Sequence, residues 1–148
     1  MKTCLIALFL CAASLLPQAM AATPAGDGKS FQETKTEAEK GSAQAQFSLG
    51  FMYRDGDGVP KDEAEAVKWF RKAADQGLAN AQLNLGFMYY SGNNVVKDEN
   101  EAYKWFLLAG AQGNEQAKKN ISIIERDMTP AQRAEGQRLA REWKPRKP

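Results

Sequence analysis

The sequence predicts an all-α fold of stacked helix pairs, and two observations lead to that prediction. A block of 36 residues from Gly41 to Gln76 recurs without a gap from Gly77 to Gln112, with 21 of the 36 positions identical. Self-similarity at a period of about 20 to 50 residues is typical of stacked repeats, in which each unit buries its apolar face on the next. Within each block, the apolar residues recur at helical spacing on both sides of a glycine-containing turn.

The first residues have the features of a secretory signal peptide. Lys2 precedes an apolar run from Leu5 to Leu16, and residues 19–21 (Ala-Met-Ala) have the small-x-small form of a cleavage site. We therefore predict a signal peptide over residues 1–21 and a periplasmic or secreted protein with no transmembrane segment after cleavage. Both cysteines of the chain lie in this segment and would leave with it.

The residue types that are missing exclude several classes of function. The chain contains no histidine, and its predicted mature part contains no cysteine. Catalytic sites built on histidine or cysteine are therefore excluded, as are zinc sites made of these ligands. The formal net charge of +2 gives no strong attraction for nucleic acid. We expect no cofactor, no metal and no disulfide bond.

The residues before the repeats are predicted to form a leader and a short helix. Residues 22–29 contain two glycines and a proline, so we expect a flexible leader. Ser30 is followed three residues later by Glu33, and this pair forms a capping box at the start of a helix that ends near Lys40. This helix should cap the amino-terminal end of the stack.

Each repeat divides into two helices. In the first copy, one helix covers Ala43 to Tyr53, and a second runs from its N-cap Asp62 to about Asp75. Gly50 lies in the middle of the first helix, where glycine costs about 1 kcal/mol relative to alanine. We expect the alanines of the second helix to approach it closely. The tryptophans of the second helices are predicted to lie in the core: Trp69 and Trp105.

The turn between the two helices reads Asp-Gly-Asp-Gly over residues 55–58 in the first copy. An EF-hand loop would need oxygen ligands at positions where this sequence has Val59 and Ala66, so we predict a tight turn and no calcium site. In the second copy, Asn94 stands where the first has Gly58. Asparagine also tolerates the left-handed conformation, so the turn should be retained.

The densest group of carboxylates lies at the start of the second helix. Asp62, Glu63 and Glu65 could in principle act as an acid and a base in glycoside cleavage. Acids in the first turn of a helix are, however, favoured by the helix dipole alone. We therefore interpret these three residues as stabilising the helix.

The residues after the second copy are predicted to close the stack with a pair of helices over residues 113–143. A third, decaying copy opens at Gly113. Thr129 as N-cap, with proline directly after it and Gln132 at the third position, starts a last helix that runs to about Trp143. Residues 144–148 form a basic tail.

The repeated pattern resembles the Sel1-like repeat. It reads Ala-x-x-x-Leu-Gly-x-x-Tyr, a glycine-containing turn, Asp-x-x-x-Ala-x-x-Trp-Phe-x-x-Ala and a closing glycine. The first copy matches at Ala45, Leu49, Gly50, Tyr53, Gly56, Gly58, Val59, Asp62, Ala66, Trp69, Phe70, Ala73 and Gly77. The second copy matches at Ala81, Leu85, Gly86, Tyr89, Gly92, Val95, Asp98, Ala102, Trp105, Phe106, Ala109 and Gly113.

The resemblance implies a short right-handed α/α solenoid, related to tetratricopeptide repeats and used as a protein-interaction scaffold. It places a Sel1-like domain over residues 30–143, with repeats at about 41–76 and 77–112 and terminal capping helices. Exported bacterial members are associated with envelope processes. A cysteine-rich branch binds or hydrolyses β-lactams, but this chain has no cysteine pair in its repeats, so that activity is not carried over.

In a solenoid of this type the first helix of each pair lines the concave face. An aromatic and aliphatic stripe edged by amide and basic groups suits an extended or helical peptide. A second interpretation stays open, in which the apolar residues of this stripe pack between adjacent repeats. The predicted partner-binding residues are Phe47, Ser48, Phe51, Arg54, Leu83, Asn84, Phe87, Tyr90 and Lys119.

The sequence thus favours a non-catalytic, exported, monomeric scaffold that binds another envelope or secreted protein on its concave face. Two alternatives are a small enzyme acting on cell-wall or β-lactam substrates, and a stability module with no partner. Without histidine or cysteine, such an enzyme would have to use serine, lysine, tyrosine or carboxylates.

Overall fold

The computed structural model describes residues 28–147, in which every regular element is an α-helix. The predicted signal peptide at residues 1–21 and most of the leader at 22–29 lie outside this range. The helices are α1 (Phe31–Glu39), α2 (Ala43–Asp55), α3 (Glu63–Asp75), α4 (Ala79–Ser91), α5 (Glu99–Ala111), α6 (Glu115–Asp127) and α7 (Pro130–Glu142).

The helices α1, α3 and α7 begin where their capping residues predict. Ser30 Oγ accepts a hydrogen bond from the Glu33 amide at 3.3 Å, and the Glu33 carboxylate accepts one from the Ser30 amide at 2.9 Å. The same reciprocal pair joins Thr129 and Gln132 at the start of α7. Asp62 caps α3 by accepting a hydrogen bond from the amide of its third residue. These side chains satisfy amides that have no partner within the helix.

The turn inside each repeat depends on left-handed residues. The helix α2 continues to Asp55, two residues beyond the predicted end at Tyr53, and stops at Gly56 with φ 75°. Further along the turn, Gly58 has φ 70°, and Asn94 takes the equivalent place in the second turn with φ 58°. The prediction that asparagine would retain this turn is therefore confirmed.

The two helices of each repeat are brought together by a glycine and a phenylalanine. The helix α2 packs on α3 and α4 packs on α5, while α3 packs on α4 between the repeats. A Cβ at Gly50 would lie 2.7 Å from the Phe70 ring, and one at Gly86 would lie 2.8 Å from the Phe106 ring. The expected close approach of the second helix is therefore confirmed, and the group nearest to Gly50 is the ring of Phe70. The aromatic ring needs more room than an alanine, which explains why the position carries no side chain.

The tryptophans of the second helices are buried, as predicted. Trp69 is 8% exposed and Trp105 is 4% exposed. The Nζ of Lys72 lies 4.0 Å from the ring centroid of Trp69, and Lys104 Nζ lies 4.3 Å from that of Trp105. Both lysines cover a ring face, a favourable cation–π arrangement. Lys72 is exposed, whereas the ammonium group of Lys104 is paired with Glu101 at 2.6 Å.

Two closing helices are present in the predicted range, but they do not pair with each other as the helices of a repeat do, because α6 and α7 each pack on α5. Ser122 stands in α6 where the repeats have Gly50 and Gly86, so an aromatic ring cannot approach α6 in the same way. In α7, Gly136 fits against the side chain of Tyr103, which is buried in α5. The first two helix pairs thus form the stack, and α7 covers one side of it.

The chain after α7 returns to the junction of the two repeats. The ring of Trp143 lies edge-on to Trp105, with centroids 6.2 Å apart, and contacts the position of Gly77. Three residues later, the amide of Arg146 donates a hydrogen bond of 2.8 Å to the Asp75 carbonyl. The Arg146 guanidinium also lies 3.6 Å from the Asp75 carboxylate. The basic tail is therefore held on the surface, at least as far as this contact.

A pair of glutamines joins each helix pair to the helix before it. In the second repeat, the side-chain amide of the buried Gln82 donates to the Ala74 carbonyl at 3.3 Å. Its oxygen accepts a hydrogen bond from Gln112 at 2.8 Å. The same two bonds occur one repeat earlier, at the same positions. There Gln46 donates to Ala38 at 3.1 Å and accepts from Gln76 at 2.8 Å.

We expect Gln82→Ala to lower the free energy of unfolding by about 1 kcal/mol, because it removes hydrogen bonds inside the core. Urea denaturation followed by circular dichroism measures the effect. Gln116→Ala is the matched control, since its side chain is exposed and bonds only to Asn120. Equal stability of the two variants would show that the buried glutamine contributes nothing.

Candidate partner-binding groove

Two adjoining cavities lie along the first helices of the repeats, on either side of Phe87. The first has a volume of about 410 Å³ and is bounded by α2, α3 and α4. The second has a volume of about 140 Å³ and is bounded by α4, α5 and α6. Phe87 lines both cavities and is 53% exposed. We refer to the two cavities together as the groove.

The first cavity has an aromatic floor and polar walls. The buried ring of Phe70 lies at its base, and the side chains of Asn84 and Asn94 line its walls. Glu63 contributes the carboxylate of this cavity, and the pKa of that group is lowered by hydrogen bonds from Lys61 and Asn94. The amides can both donate and accept hydrogen bonds, so this cavity suits a polar side chain or a peptide backbone.

Arg54 stands at the edge of the first cavity in a fixed position. Its guanidinium lies 4.4 Å from the centroid of the Phe51 ring. It also donates two hydrogen bonds, of 2.7 and 2.8 Å, to the Asp55 carboxylate. These bonds lower the pKa of Asp55. The positive charge of Arg54 is thus largely balanced by its neighbour.

The second cavity is apolar. Phe87 and Tyr90 come from α4, Phe106 from α5, and Ile123 with Ile124 from α6. Ile123 is 49% exposed, so an incoming side chain could contact it without any rearrangement. Two exposed apolar residues beside a small apolar cavity form a surface on which one aliphatic or aromatic side chain can be buried.

The predicted groove residues fall into three groups. Phe47 and Phe51 are half-buried, and their rings contact each other and the Phe70 ring at centroid distances of 4.8 to 5.7 Å. These contacts lie within one repeat, between α2 and α3, and not between adjacent repeats. Phe47 and Leu83 also pack against clusters of the core. Other predicted residues line the cavities: Arg54, Asn84, Phe87 and Tyr90.

Two of the remaining predicted residues lie away from the cavity walls. Ser48 is half-buried on α2, and Lys119 is exposed on α6, and neither lines the two cavities. Sequence reasoning assigned Phe70 and Phe106 to the core, and it placed Ile123 on the same face as the stripe without including it among the predicted partner-binding residues. The repeat period identifies Ile123 as a groove residue, because it lies 36 residues after Phe87.

The described part of the chain offers little for other kinds of site. Among residues 28–147, no group of three acidic, histidine or cysteine side chains is placed to hold a metal ion. No helix in the same range combines the length and the apolar character needed to cross a membrane.

A stack of helix pairs repeating every 36 residues, with a groove along the first helices, defines an all-α solenoid. The family model of the Sel1 repeat matches this chain twice, at residues 43–78 and 79–114. The chain is a Sel1-like repeat protein. The matched units begin two residues after the repeat boundaries chosen from the sequence.

Similar proteins share this fold. Over 55 residues the chain is 43% identical to the secretory immunoglobulin A-binding protein EsiB of Escherichia coli O6:H1. It superimposes with a TM-score of 0.72 and 37% identity on c5321, a protective antigen of uropathogenic Escherichia coli that displays an SLR fold. A Sel1 repeat protein from Oxalobacter formigenes gives a TM-score of 0.61 and 39% identity.

These similarities cover only part of each relative. The aligned residues make up 37% of this chain and 11% of EsiB. They make up 76% of this chain and 24% of c5321, and 63% and 38% for the Oxalobacter protein. The chain therefore corresponds to a short run of repeats within longer proteins.

Proposed function

We propose that this chain is a non-catalytic binding module that holds a segment of another protein in the groove. The exposure of Phe87 between two cavities carries the proposal. Aromatic residues at the centre of a pocketed surface are typical of the residues that dominate binding energy. The helix pairs on both sides hold the groove in place, so little conformational entropy is lost when a partner binds.

The relatives support binding rather than catalysis. The name of EsiB states that it binds a protein, secretory immunoglobulin A. In this chain, the carboxylate that lines the groove belongs to Glu63, and its pKa is lowered, whereas a general acid needs a raised one. We accordingly favour the scaffold over an enzyme that acts on cell-wall or β-lactam substrates.

The predicted signal peptide at residues 1–21 places the module outside the cytoplasm. On that basis, the partner is another envelope or secreted protein, bound by a monomer through a peptide or a helix. Crosslinking in the native envelope, followed by identification of the captured protein, gives the partner for the binding measurements below.

We expect Phe87→Asp to weaken binding of the captured partner at least about tenfold, because a charged group replaces the exposed ring at the centre of the groove. Calorimetric titration measures the affinity, and circular dichroism should show unchanged helicity. Phe51→Asp is a poorer test, since Phe51 also packs on Phe70.

Val96→Asp is the matched control for this substitution. Val96 is 87% exposed, lies in the turn between α4 and α5 and lines neither cavity. This variant should bind like the unmodified protein. If Phe87→Asp also binds with unchanged affinity, the groove is not the binding site.

A further inference from the structure

A third cavity lies outside the groove, in the first repeat. The equivalent position in the second repeat is filled by the carboxyl-terminal residues of the chain itself. The first-repeat cavity has a volume of about 430 Å³ and lies where α1 and α2 meet α3. Its lining includes Gly41 and Trp69. One repeat later, 36 residues on, the equivalent positions are Gly77 and Trp105, which contact Trp143.

The equivalence extends beyond these two residues. The cavity is also lined by Ala38, Gln46 and Gln76, which occupy the positions of Ala74, Gln82 and Gln112. Both sets make the same hydrogen bonds between glutamines and the preceding helix. The backbone therefore has the same arrangement around the first-repeat cavity and around its equivalent in the second repeat. Trp143 fills the second-repeat site, whereas no tryptophan among residues 28–147 fills the first-repeat cavity.

The polar contacts of the filled second-repeat site also have a counterpart. Arg146 binds the Asp75 carboxylate and carbonyl, and both residues also line the cavity, so this pair lies between the first-repeat cavity and the second-repeat site. Glu39 stands 36 residues before Asp75 and lines the cavity. Among residues 28–147 the Glu39 carboxylate has one ion pair, an i,i+4 contact of 3.9 Å with Lys35, so it is available to an arginine.

One difference from the filled second-repeat site bears on the occupant. Lys72 stands in the cavity where the second repeat has Leu108, and its ammonium group lies over Trp69. A cation at this point favours an aromatic occupant over an aliphatic one. The indole N–H groups of Trp69 and Trp105 are alike, since both are buried without a hydrogen-bond partner among residues 28–147.

We propose that this cavity binds a tryptophan-x-x-arginine segment of another protein chain, in the way that the second repeat binds residues 143–146. The tryptophan lies against Trp69 and Gly41, and the arginine pairs with Glu39. This site is separate from the groove and does not depend on the proposed function.

The probe is a synthetic peptide with the sequence of residues 141–146 in which glutamate replaces the lysine at position 144. This change lowers the positive charge of the peptide, because four cationic side chains also border the cavity: Lys40, Lys72, Arg146 and Lys147. The chain has three tryptophans, so each indole N–H gives its own signal in a nitrogen-edited NMR spectrum. We expect the peptide to shift the signal of Trp69.

Substitutions in the peptide and in the protein test the two contacts. A peptide with alanine in place of its tryptophan should leave the Trp69 signal unmoved. Glu39→Arg should weaken binding of the probe about tenfold through loss of the charge pair. Asp127→Arg is the matched control, because Asp127 is likewise the exposed last residue of a helix, and it should change the affinity less than about twofold. Phe87→Asp should also bind the probe normally.

Two results would overturn the proposal. In the first, no indole signal moves at any concentration of the probe. In the second, the signals of Trp105 and Trp143 move while that of Trp69 does not, which would mean that the peptide only displaces the chain's own tail. Removing that tail tryptophan gives an independent check, since Trp143→Ala should raise the stoichiometry of the peptide from one to two.

Discussion

Replacing Phe106 by alanine is expected to lower the free energy of unfolding by about 3–5 kcal/mol. Phe106 is 2% exposed and belongs to the core cluster that joins α5 to α6. Its ring also lies against Gly86, so it fixes the distance between α4 and α5. Truncation would remove buried apolar area and leave a cavity next to the second cavity of the groove, which the same ring lines.

Urea denaturation followed by circular dichroism measures this loss. Small domains have a total stability of about 5–15 kcal/mol, so the variant should unfold at a much lower urea concentration or be unfolded without denaturant. Ile123→Ala is the control, because Ile123 lines the same cavity but is 49% exposed, and we expect a loss below about 1 kcal/mol. Equal losses for both variants would contradict the assignment of Phe106 to the core.

Gly86→Ala is expected to destabilise the protein by about 2 kcal/mol, although alanine is the better helix former. The added Cβ would lie 2.8 Å from two atoms of the Phe106 ring and 3.2 Å from the Ala102 carbonyl oxygen. Neither the buried ring nor the helix backbone can move away freely, and such overpacking costs about 3 kcal/mol. The higher helix propensity of alanine returns about 1 kcal/mol of this.

Gly110→Ala is the control that separates the steric clash of the added Cβ from the gain in helix propensity. Gly110 also lies inside a helix, but a Cβ there would meet the end of the Ile121 side chain at 3.1 Å and the Cγ of Lys118 at 3.5 Å, an ordinary contact distance. These atoms can shift, so the variant should be unchanged or up to about 1 kcal/mol more stable. If Gly86→Ala proves as stable as Gly110→Ala in thermal and urea unfolding, the Phe106 ring does not limit the space at Gly86.

The fold could be predicted from the sequence because its signals are local or repeated. Ser30, Asp62 and Thr129 are capping residues that act on the next few amides, so their role can be read from neighbouring letters. The docking of α7 could not be predicted, since it depends on which helix offers a complementary surface. Gly136 and Tyr103 meet across 33 residues of sequence, and no periodicity connects them.

The residues of the groove could likewise be predicted only in part from the sequence. Helical periodicity places Phe47, Phe51 and Phe87 on one face of their helices, but it does not say how far the neighbouring helix covers each ring. Phe51 has Phe70 beside it, whereas Phe87 has open cavities on both sides. The second repeat carries a leucine at the position of Phe47, and this smaller residue leaves more room around α4.

The glutamine pairs have a consequence for changing the length of this protein. In each 36-residue unit, one glutamine donates a hydrogen bond to a backbone carbonyl of the preceding helix and accepts one from a second glutamine at the end of the same unit, so both units are joined to the helix before them in the same way. A third copy of residues 77–112 inserted after Gln112 would bring its own donor and acceptor. Such an elongated variant should fold with one more equivalent junction and unfold at a higher denaturant concentration.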